Sequence, residues 1–425
     1  MFKNYIRRKL ESSVKKYFKK HPEVKLVVVA GSVGKTSTKV AIATVLAEKY
    51  RIRMHDGNHN THLSAPLAIL GIDYPDKVSS LSEWSRVFRA AKMRIKQPTD
   101  VDVIIQELGT DTIGEIPHFG KYLKPDIGVV TAVSPEHMEF FQNIDNVARE
   151  ELAAANFSKL ALINRDDIDG KYAELITNPN LDTYGTSKDS EYHLIINGFD
   201  VEAGYNGSFF APDTTKPIQV QIKMLGEHNL RPAIAAGAVA VKLGLSESEI
   251  IAGLTKVHAV AGRMNVLRGV QGTILIDDTY NSSPLAVKCA LQTLYDLSVP
   301  QRIAVLGSMN ELGESSAAEH TTVGQLCDPD KLDWVVTVGD DASTYLAEAA
   351  KQNGCNVKVC KNALEAGAFV HGNLINGAAI LFKGSQGGVY LEEATKFVLH
   401  ATEEESQLVR QSAKWMQTKK DFFAS

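Results

Sequence analysis

Residues 25–50 read KLVVVAGSVGKTSTKVAIATVLAEKY, and this stretch decides the fold. The apolar run Leu26–Ala30 predicts a buried strand, and the residues after Lys35 predict a helix. Between them lies the turn Gly31–Thr36, at a helix N-terminus where backbone N–H groups and the helix dipole favour phosphate. The sequence therefore predicts a loop that binds a nucleoside triphosphate. In such a loop Lys35 contacts the β- and γ-phosphates and the Thr36 hydroxyl coordinates Mg²⁺.

Short apolar stretches continue to alternate with helical ones after this loop. Further buried strands are predicted at residues 101–108, 126–133 and 159–164. This alternation is typical of an α/β domain with a largely parallel sheet. Asn197-Gly198 and Asn206-Gly207 then lie between short apolar or aromatic stretches and predict hairpins, hence a small antiparallel insertion.

The alternation of strands and helices restarts at Gly272. Strands are predicted at 273–277, 302–306, 334–338, 357–359 and 379–382, and helices at 284–297, 315–327, 342–353, 362–375 and 388–400. This is a second doubly wound, Rossmann-like unit. We therefore predict a basic helix over 1–24, a central ATP-binding domain over 25–262 and a C-terminal domain over 263–425, with a hinge at Ala259–Arg263.

The composition excludes several classes of protein. With 46 Lys and Arg against 50 Asp and Glu, the net charge of −4 argues against a nucleic-acid binder. The four cysteines include no C-x-x-C pair, which excludes a disulfide framework and a zinc ribbon. The longest nearly apolar stretch, 233–241, has about half the length that a bilayer span requires. No secretory signal is recognised at the start of the chain, so the expected location is cytoplasmic.

The first 25 residues hold nine Lys or Arg and two Glu, and apolar residues recur there every four positions. This pattern predicts an amphipathic basic helix, for which two interpretations remain open. The helix docks on its own domain, or residues 1–20 bind an anionic membrane or a partner protein. The first interpretation is favoured because aromatic helix faces more often belong to a core.

The phosphate loop departs from the full G-x-x-x-x-G-K-[ST] pattern because Val29 replaces the first glycine. In this form it resembles the G-[ST]-x-G-K-[ST]-[ST] loop of the Mur ligase family. The family's pattern is one residue longer, so the matching stretch ends at Ser37. Further stretches resemble motifs of that family in the same order: Gly57–Asn60, Gln106–Gly109, Glu136–Glu139, Ile163–Asp167, Gly226–Asn229, Gly262–Arg263, Asp277–Pro284, Gly307–Gly313 and Lys383–Ser385. Together they run from about residue 25 to 400.

The resemblance implies an ATP-dependent ligase that joins a carboxylate to an amine through an acyl phosphate. Its implied cofactors are ATP and Mg²⁺, with Mn²⁺ as a substitute. Lys35, Glu107 and His137 are the implied catalytic residues, and Thr36, Glu107 and His137 the implied metal ligands. The implied ATP-binding residues are Gly31, Ser32, Val33, Gly34, Lys35, Thr36, Ser37, Asn229, Arg263, Asp278 and Asn281.

Glu151 aligns, within one residue, with a lysine whose carbamate helps to hold a second metal in many Mur ligases. Glutamate supplies a carboxylate without CO₂, so the resemblance predicts that Glu151 joins the metal ligands through a water or a shifted helix. Activity would then be independent of bicarbonate.

The D-D-x-Y-N, M-x-E-L-G and K-G-S stretches resemble the branch of the family that adds D-alanyl-D-alanine to a muramoyl peptide in peptidoglycan synthesis. Relatives carry a UDP-sugar-binding domain before the phosphate loop, where only about 25 residues stand here. Either the carboxylate substrate is held differently, or a separate chain supplies that binding, or the substrate is another acid.

Two alternatives to this function remain open. The acceptor could be of the poly-amino-acid or folate polyglutamate type, with the amine an amino acid rather than a dipeptide. The chain could instead be a non-catalytic, nucleotide-gated scaffold. Zinc at His55, His59 and His62 is disfavoured, because their segment matches a family loop without zinc.

Overall fold

The computed structural model describes residues 2–57, 59–201, 203–212, 214 and 216–424. The chain divides into two units. The first comprises the chain up to Ser134 together with Phe140–Met224 and Leu230–His258. The second comprises Pro135–Glu139, Leu225–Asn229 and the chain from Ala259 onward.

One sheet of nine strands, counted over the described residues, organises the first unit. The strands are β1 Lys25–Ala30, β2 Ile52–Met54, β3 Val103–Glu107, β4 Ile127–Val130, β5 Leu160–Asn164, β6 Leu181–Gly185, β7 Tyr192–Asp200, β8 Gly204–Phe210 and β9 Ile218–Ile222. Their order is β2-β3-β1-β4-β5-β6-β7-β8-β9, parallel from β2 to β7 and antiparallel from β7 to β9. The predicted β1, β3, β4 and β5 are confirmed; β2 and β6 were missed because neither is a continuous buried run.

Helices cover this sheet, and the hydrophobic core lies between them and the strands. They are α1 Phe2–Lys20, α2 Lys35–Leu46, α3 Ser64–Leu70, α4 Leu81–Lys96, α5 Glu115–Phe119, α6 Met138–Phe141, whose first two residues belong to the second unit, α7 Ile144–Asn156, α8 Leu230–Lys242 and α9 Glu247–Thr255. The helix α2 packs closely on α8 and α9. A Cβ atom on Gly253 would lie 2.7 Å from Val45 Cα, so α9 approaches α2 nearly backbone to backbone.

The prediction that Asn-Gly pairs form hairpin turns is wrong. Asn197-Gly198 lies inside β7 and Asn206-Gly207 inside β8, where Gly198 pairs with Asn206 across a register shift. The strands β7 and β8 instead pair up to Asp200 and Gly204, where β8 begins. Gly204 has a φ of +81°, and its Cβ position lies 2.2 Å from Ile222 O of the neighbouring strand β9. Only glycine fits so close a strand approach with positive φ. The antiparallel strands are confirmed, but they extend the main sheet, since β7 pairs with β6.

The second unit is doubly wound around a six-stranded sheet, counted over its described residues. Its strands are β10 Asn265–Arg268, β11 Ile274–Asp278, β12 Arg302–Gly307, β13 Trp334–Val338, β14 Val357–Cys360 and β15 Ala379–Lys383, in the order β10-β11-β15-β12-β13-β14. All neighbours are parallel except the antiparallel edge strand β10, which was not predicted. Apolar clusters fill both faces of this sheet. The predicted α/β class, with a Rossmann-like second unit, is confirmed.

The helices of the second unit are α10 Pro284–Asp296, α11 Ser316–Gln325, α12 Ala347–Gln352, α13 Ala363–Asn373, α14 Glu392–Lys396 and α15 Ala413–Ala424. A π-helical turn, Ala342–Leu346, leads into α12. The helix predicted over 388–400 is much shorter than expected, because Gly388 and Tyr390 both have positive φ and delay its start. The helix α15 was not predicted.

The helix α1 docks on its own unit, as favoured above. Its apolar face is buried at Ile6, Leu10, Val14 and Tyr17 and packs on α3 and α4. This face is therefore not available to a membrane. Within the described ranges, no helix is both long and apolar enough to cross a bilayer.

The docking of α1 predicts a measurable contribution to stability. Leu10 is fully buried, so Leu10→Ala should lower the free energy of unfolding of the first unit by about 2–5 kcal/mol. The exposed Lys16 on the same helix provides the matched control, because Lys16→Ala should change stability by less than about 0.5 kcal/mol. Urea unfolding followed by circular dichroism measures both, and equal midpoints for the two variants would contradict the docking.

Candidate functional site

The phosphate loop connects β1 to α2 and requires glycine at two positions. Gly31 and Gly34 have φ values of +126° and +85°. A Cβ atom on Gly31 would lie 2.2 Å from Thr131 Oγ1 and 2.8 Å from Ala132 N. The loop therefore lies directly against the chain that follows β4, and α2 begins immediately after it at Lys35.

Hydrogen bonds from the end of β4 fix the shape of this loop. Thr131 Oγ1 donates to Val33 O at 2.5 Å and to Ala30 O at 3.1 Å. Ser32 Oγ accepts from Ser134 N at 2.9 Å. These contacts arise because β1 and β4 are parallel neighbours, so their carboxyl ends meet at one edge of the sheet.

The predicted Lys35 side chain lies over the loop. Its Nζ donates to Gly31 O and lies 3.5 Å from Ser32 O. Ser37 lies half-buried in the first turn of α2. Backbone N–H groups in a first helical turn lack partners within the helix, which makes this turn suited to phosphate.

Glu107 and Thr36 are brought together at the same edge of the sheet. Glu107 ends β3, is 4% exposed, and accepts a hydrogen bond from Thr36 Oγ1 at 3.0 Å. The buried Lys39 Nζ lies 3.3 Å from the same Glu107 oxygen, and Asn60 Nδ2 lies 3.3 Å from the other. A hydroxyl and a carboxylate are oxygen ligands of the kind that Mg²⁺ prefers, so this donor set fits the ion.

Lys39 was missed by the sequence analysis. It lies one helical turn after Lys35, and residues four apart share a helix face, so its position could have been inferred. Its ammonium also donates to His55 O at 3.0 Å, which ties α2 to the segment after β2.

That segment supports Glu107 from the other side. Asn60 O accepts from Gly109 N at 3.0 Å, and His59 O accepts from Gln106 Nε2 at 2.8 Å. The His55 and His59 rings stack at 3.5 Å, and burial, followed by the charges of His55 and Lys39, lowers the pKa of His59. Asn58, part of the motif noted above, lies outside the described residues. His62 does not join these rings.

Glu151 reaches the phosphate loop directly. It lies on α7, is 1% exposed, and its Oε2 accepts from Gly31 N at 2.6 Å. The neighbouring Glu150 instead accepts from Gly114 N at 2.7 Å and Ile116 N at 2.6 Å, while burial raises its pKa. Of these two carboxylates, Glu151 is the one whose contacts include the loop.

His137 belongs to the second unit, whereas Thr36 and Glu107 belong to the first. Its φ of +48° is unusual for a residue other than glycine, and such backbones cluster at functional sites. Its Nδ1 lies 2.9 Å from Glu311 Oε2, and its Nε2 lies 3.6 Å from Glu136 Oε1. The metal-ligand role of His137 stays a prediction.

Asp278, Arg263 and Asn281 come together at the carboxyl edge of the second sheet. Asp278 pairs in register with Lys383 on the parallel strand β15, and their side chains form a buried ion pair of 2.6 Å. Lys383 Nζ also donates to Asn281 O at 3.1 Å. The Arg263 guanidinium lies 4.2 Å from the ring centroid of Tyr280, in a cation–π arrangement.

Asp277 is a fully buried carboxyl that was not predicted as a site residue. It accepts from Gly262 N at 3.0 Å and from Thr279 Oγ1 at 2.6 Å. Burial raises its pKa to about 6. Through its two hydrogen bonds, the Asp277 side chain holds the backbone before Arg263 against the end of β11.

Asn229 ends a short turn of the second unit. Its Nδ2 donates to Leu225 O at 2.7 Å, and its N–H bonds to Gly226 O at 3.0 Å. The amide side chain thus braces the turn, and the adenine contact implied by the family stays a prediction.

Comparison with known proteins agrees with this arrangement. The chain matches the family described as Mur ligase middle domain over residues 29–240 and that described as Mur ligase, glutamate ligase domain over residues 262–386. The UDP-N-acetylmuramoyl-tripeptide--D-alanyl-D-alanine ligase of Bacillus subtilis is 30% identical over 393 residues, 89% of this chain and 76% of that protein.

Solved structures share the fold. MurF from Acinetobacter baumannii superposes with a TM-score of 0.76 at 23% identity, covering 92% of this chain and 79% of that one. MurF ligase from Thermotoga maritima, solved in complex with ADP, has a TM-score of 0.74 at 24% identity, covering 93% and 84%. The sequence match over most of both chains, together with the shared fold, shows that this protein is a member of the Mur ligase family.

Proposed function

We propose that this chain is an ATP-dependent ligase that joins D-alanyl-D-alanine to the carboxylate of a muramoyl peptide in peptidoglycan synthesis. The observation that carries the proposal is the phosphate loop with Thr36 and Glu107 hydrogen-bonded at its edge. The name of the Bacillus subtilis relative supports the choice of substrates.

The residues of the loop supply most of the electrostatic stabilisation in this proposal. Lys35 and the N–H groups at the start of α2 contact the transferring phosphoryl group as the substrate carboxylate attacks it. The bond between the γ-phosphorus and ADP breaks as the acyl phosphate forms, and ADP is the leaving group. The amine then attacks the carbonyl carbon with loss of a proton, and phosphate leaves as the amide bond is made. Fixed donors aimed at developing charge are usually the largest contribution to such catalysis.

Thr36 and Glu107 would hold Mg²⁺, which supplies charge neutralisation at the phosphates when bound. Lys39 balances the buried charge of Glu107 and holds the carboxylate in place. His137 would add a nitrogen ligand, which Mn²⁺ also accepts. Glu151 would contribute through a bridging water while it holds Gly31.

The second unit would supply the remaining contacts to the nucleotide. Arg263 and Asp278 are proposed to contact phosphate and ribose, with Asn281 close to the phosphates and Asn229 at the adenine. The Asp278–Lys383 pair supports this role, because it holds Asp278 in a defined orientation.

The alternatives are less well supported. A folate-type or poly-amino-acid ligase would use the same chemistry on another acid, but the named relatives favour the muramoyl peptide. A scaffold without activity would not need the Thr36–Glu107–Lys39 arrangement. A separate chain that binds the UDP-sugar remains compatible with the proposal.

The function is tested by phosphate release from ATP. A panel of UDP-linked muramoyl peptides is crossed with amino acids and dipeptides, and release is expected with the muramoyl-tripeptide and D-alanyl-D-alanine together. Lys35→Ala should abolish that release while leaving the circular dichroism spectrum unchanged, because the loss is confined to a phosphate contact and to a hydrogen bond within the loop. Release that requires folate and glutamate instead, or a Lys35→Ala variant of near wild-type rate, would refute the assignment.

Glu107→Gln tests the metal site. The substitution preserves shape but removes the charge, so turnover should fall on the order of 100-fold or more and require more Mg²⁺. Turnover is measured against Mg²⁺ concentration, with Glu48→Gln as the control because that carboxylate forms a peripheral ion pair with Lys256. A Mg²⁺ dependence identical to wild type would exclude the ligand role.

The proposed role of Glu151 is tested by the effect of bicarbonate on the reaction rate. The wild-type rate should be equal in CO₂-depleted and bicarbonate-supplemented buffer, because Glu151 carries its carboxylate without modification. Glu151→Ala should reduce turnover about 10-fold or more by releasing Gly31 N. Glu150→Gln is the neighbouring control, which should affect stability more than turnover. Stimulation of the wild type by bicarbonate, or full activity of Glu151→Ala, would contradict the proposal.

A further inference from the structure

A cluster of metal-binding side chains lies in the first unit, formed by Glu11, His62 and His118. Glu11 comes from α1, His62 from the segment before α3 and His118 from α5. Their ligand atoms all lie within 4.8 Å of one another, and His118 Nε2 is 2.8 Å from Glu11 Oε1. The His62 and His118 rings are 4.7 Å apart. Three parts of the chain that are distant in sequence thus lie close together in space.

Buried polar atoms that make no hydrogen bond lie in and beside this cluster. Among the described residues, Arg7 Nε, His62 Nδ1 and Tyr122 Oη are buried and make no hydrogen bond. Arg7 Nε lies 3.6 Å from Glu11 Oε1, and the Tyr122 ring lies 6.3 Å from that of His118. Buried polar atoms in native proteins nearly always have a partner, and several at one place indicate a bound ion or water.

The donor set distinguishes between ions. Two imidazoles and one carboxylate are a common three-residue zinc set, with water as the fourth ligand. Mg²⁺ prefers six oxygen ligands and is disfavoured here. With zinc bonds of about 2.0–2.1 Å, tetrahedral ligand atoms lie about 3.3 Å apart. The observed distances between the ligand atoms range from 2.8 Å to at most 4.8 Å and so include this value. Small side-chain rotations are therefore enough to form a tetrahedral site.

The cluster is reachable from solvent. The side chains of Glu11 and His118 are 14% and 21% exposed. The Arg7 side chain is 32% exposed, so its guanidinium can move toward water when a cation binds.

We propose that Glu11, His62 and His118 bind a zinc ion that fastens α1 to the segment before α3 and to α5. The ion would act at a distance from the ligase chemistry. His62 follows Asn60 by two residues, and Asn60 contacts Glu107, so the ion would also stabilise the segment that supports Glu107. This site is independent of the proposed substrates.

The test uses the full chain, freed of metal with a chelator and titrated with zinc by calorimetry in excess Mg²⁺. The Mg²⁺ occupies oxygen-rich sites and leaves the histidine cluster for zinc. We expect one zinc ion per chain and a raised melting temperature. His62→Gln and His118→Gln should each weaken zinc binding by about 100-fold or more, because losing a direct ligand exceeds the 10- to 100-fold effect of outer contacts.

Two further variants keep the test decisive. Glu11→Gln retains a hydrogen-bonding oxygen opposite His118 and should fold normally while binding zinc more weakly. His193→Gln changes a histidine stacked on Phe210 outside the cluster and should bind zinc as the wild type does. Absence of saturable zinc binding, unchanged affinity in Glu11→Gln and His62→Gln, or loss of the zinc only in Glu107→Gln would each overturn the proposal.

Discussion

The close approach of Gly31 to the end of β4 is the constraint on which the first unit depends. No side chain fits at position 31, where a Cβ atom would lie 2.2 Å from Thr131 Oγ1. The same residue donates its N–H to Glu151, and its carbonyl oxygen accepts from Lys35. One residue thereby links β1, β4, α2 and α7, and the loop shape follows from their packing.

Both units place a buried lysine beside a carboxylate at the end of a parallel strand. Lys39 accompanies Glu107 in the first unit, and Lys383 accompanies Asp278 in the second. Breaking such a pair leaves an uncompensated buried charge, which is strongly destabilising. Each carboxylate is therefore fixed in position beside a positive charge, as its proposed contact with metal or nucleotide requires.

The sequence predicted those features that only a few residue types can form. Glycines, a lysine and a hydroxyl at fixed spacing after an apolar run identified the loop, and apolar runs identified most parallel strands. The turns between β7 and β8 were not predictable in this way, because Asn197-Gly198 favours a hairpin locally while strand pairing places it inside β7. The spacing to Lys35 places Lys39 on the same helix face. Its ion pair with Glu107 and the bond from Gly31 to Glu151, however, join residues whose proximity depends on strand order, which no local pattern contains.

The two buried carboxylates bonded at the loop also bear on the ligands that the proposed site would accept. Glu107 is bonded to Thr36 and Glu151 to Gly31, so negative charge lies beside a turn suited to anions. Lys39 offsets the charge of Glu107, so in the proposed function a polyphosphate without a counterion would meet repulsion mainly from Glu151, beside Gly31. If the loop binds nucleotide as proposed, it would favour polyphosphates already neutralised by a cation, and its selectivity would reside in its scaffold as much as in its donors.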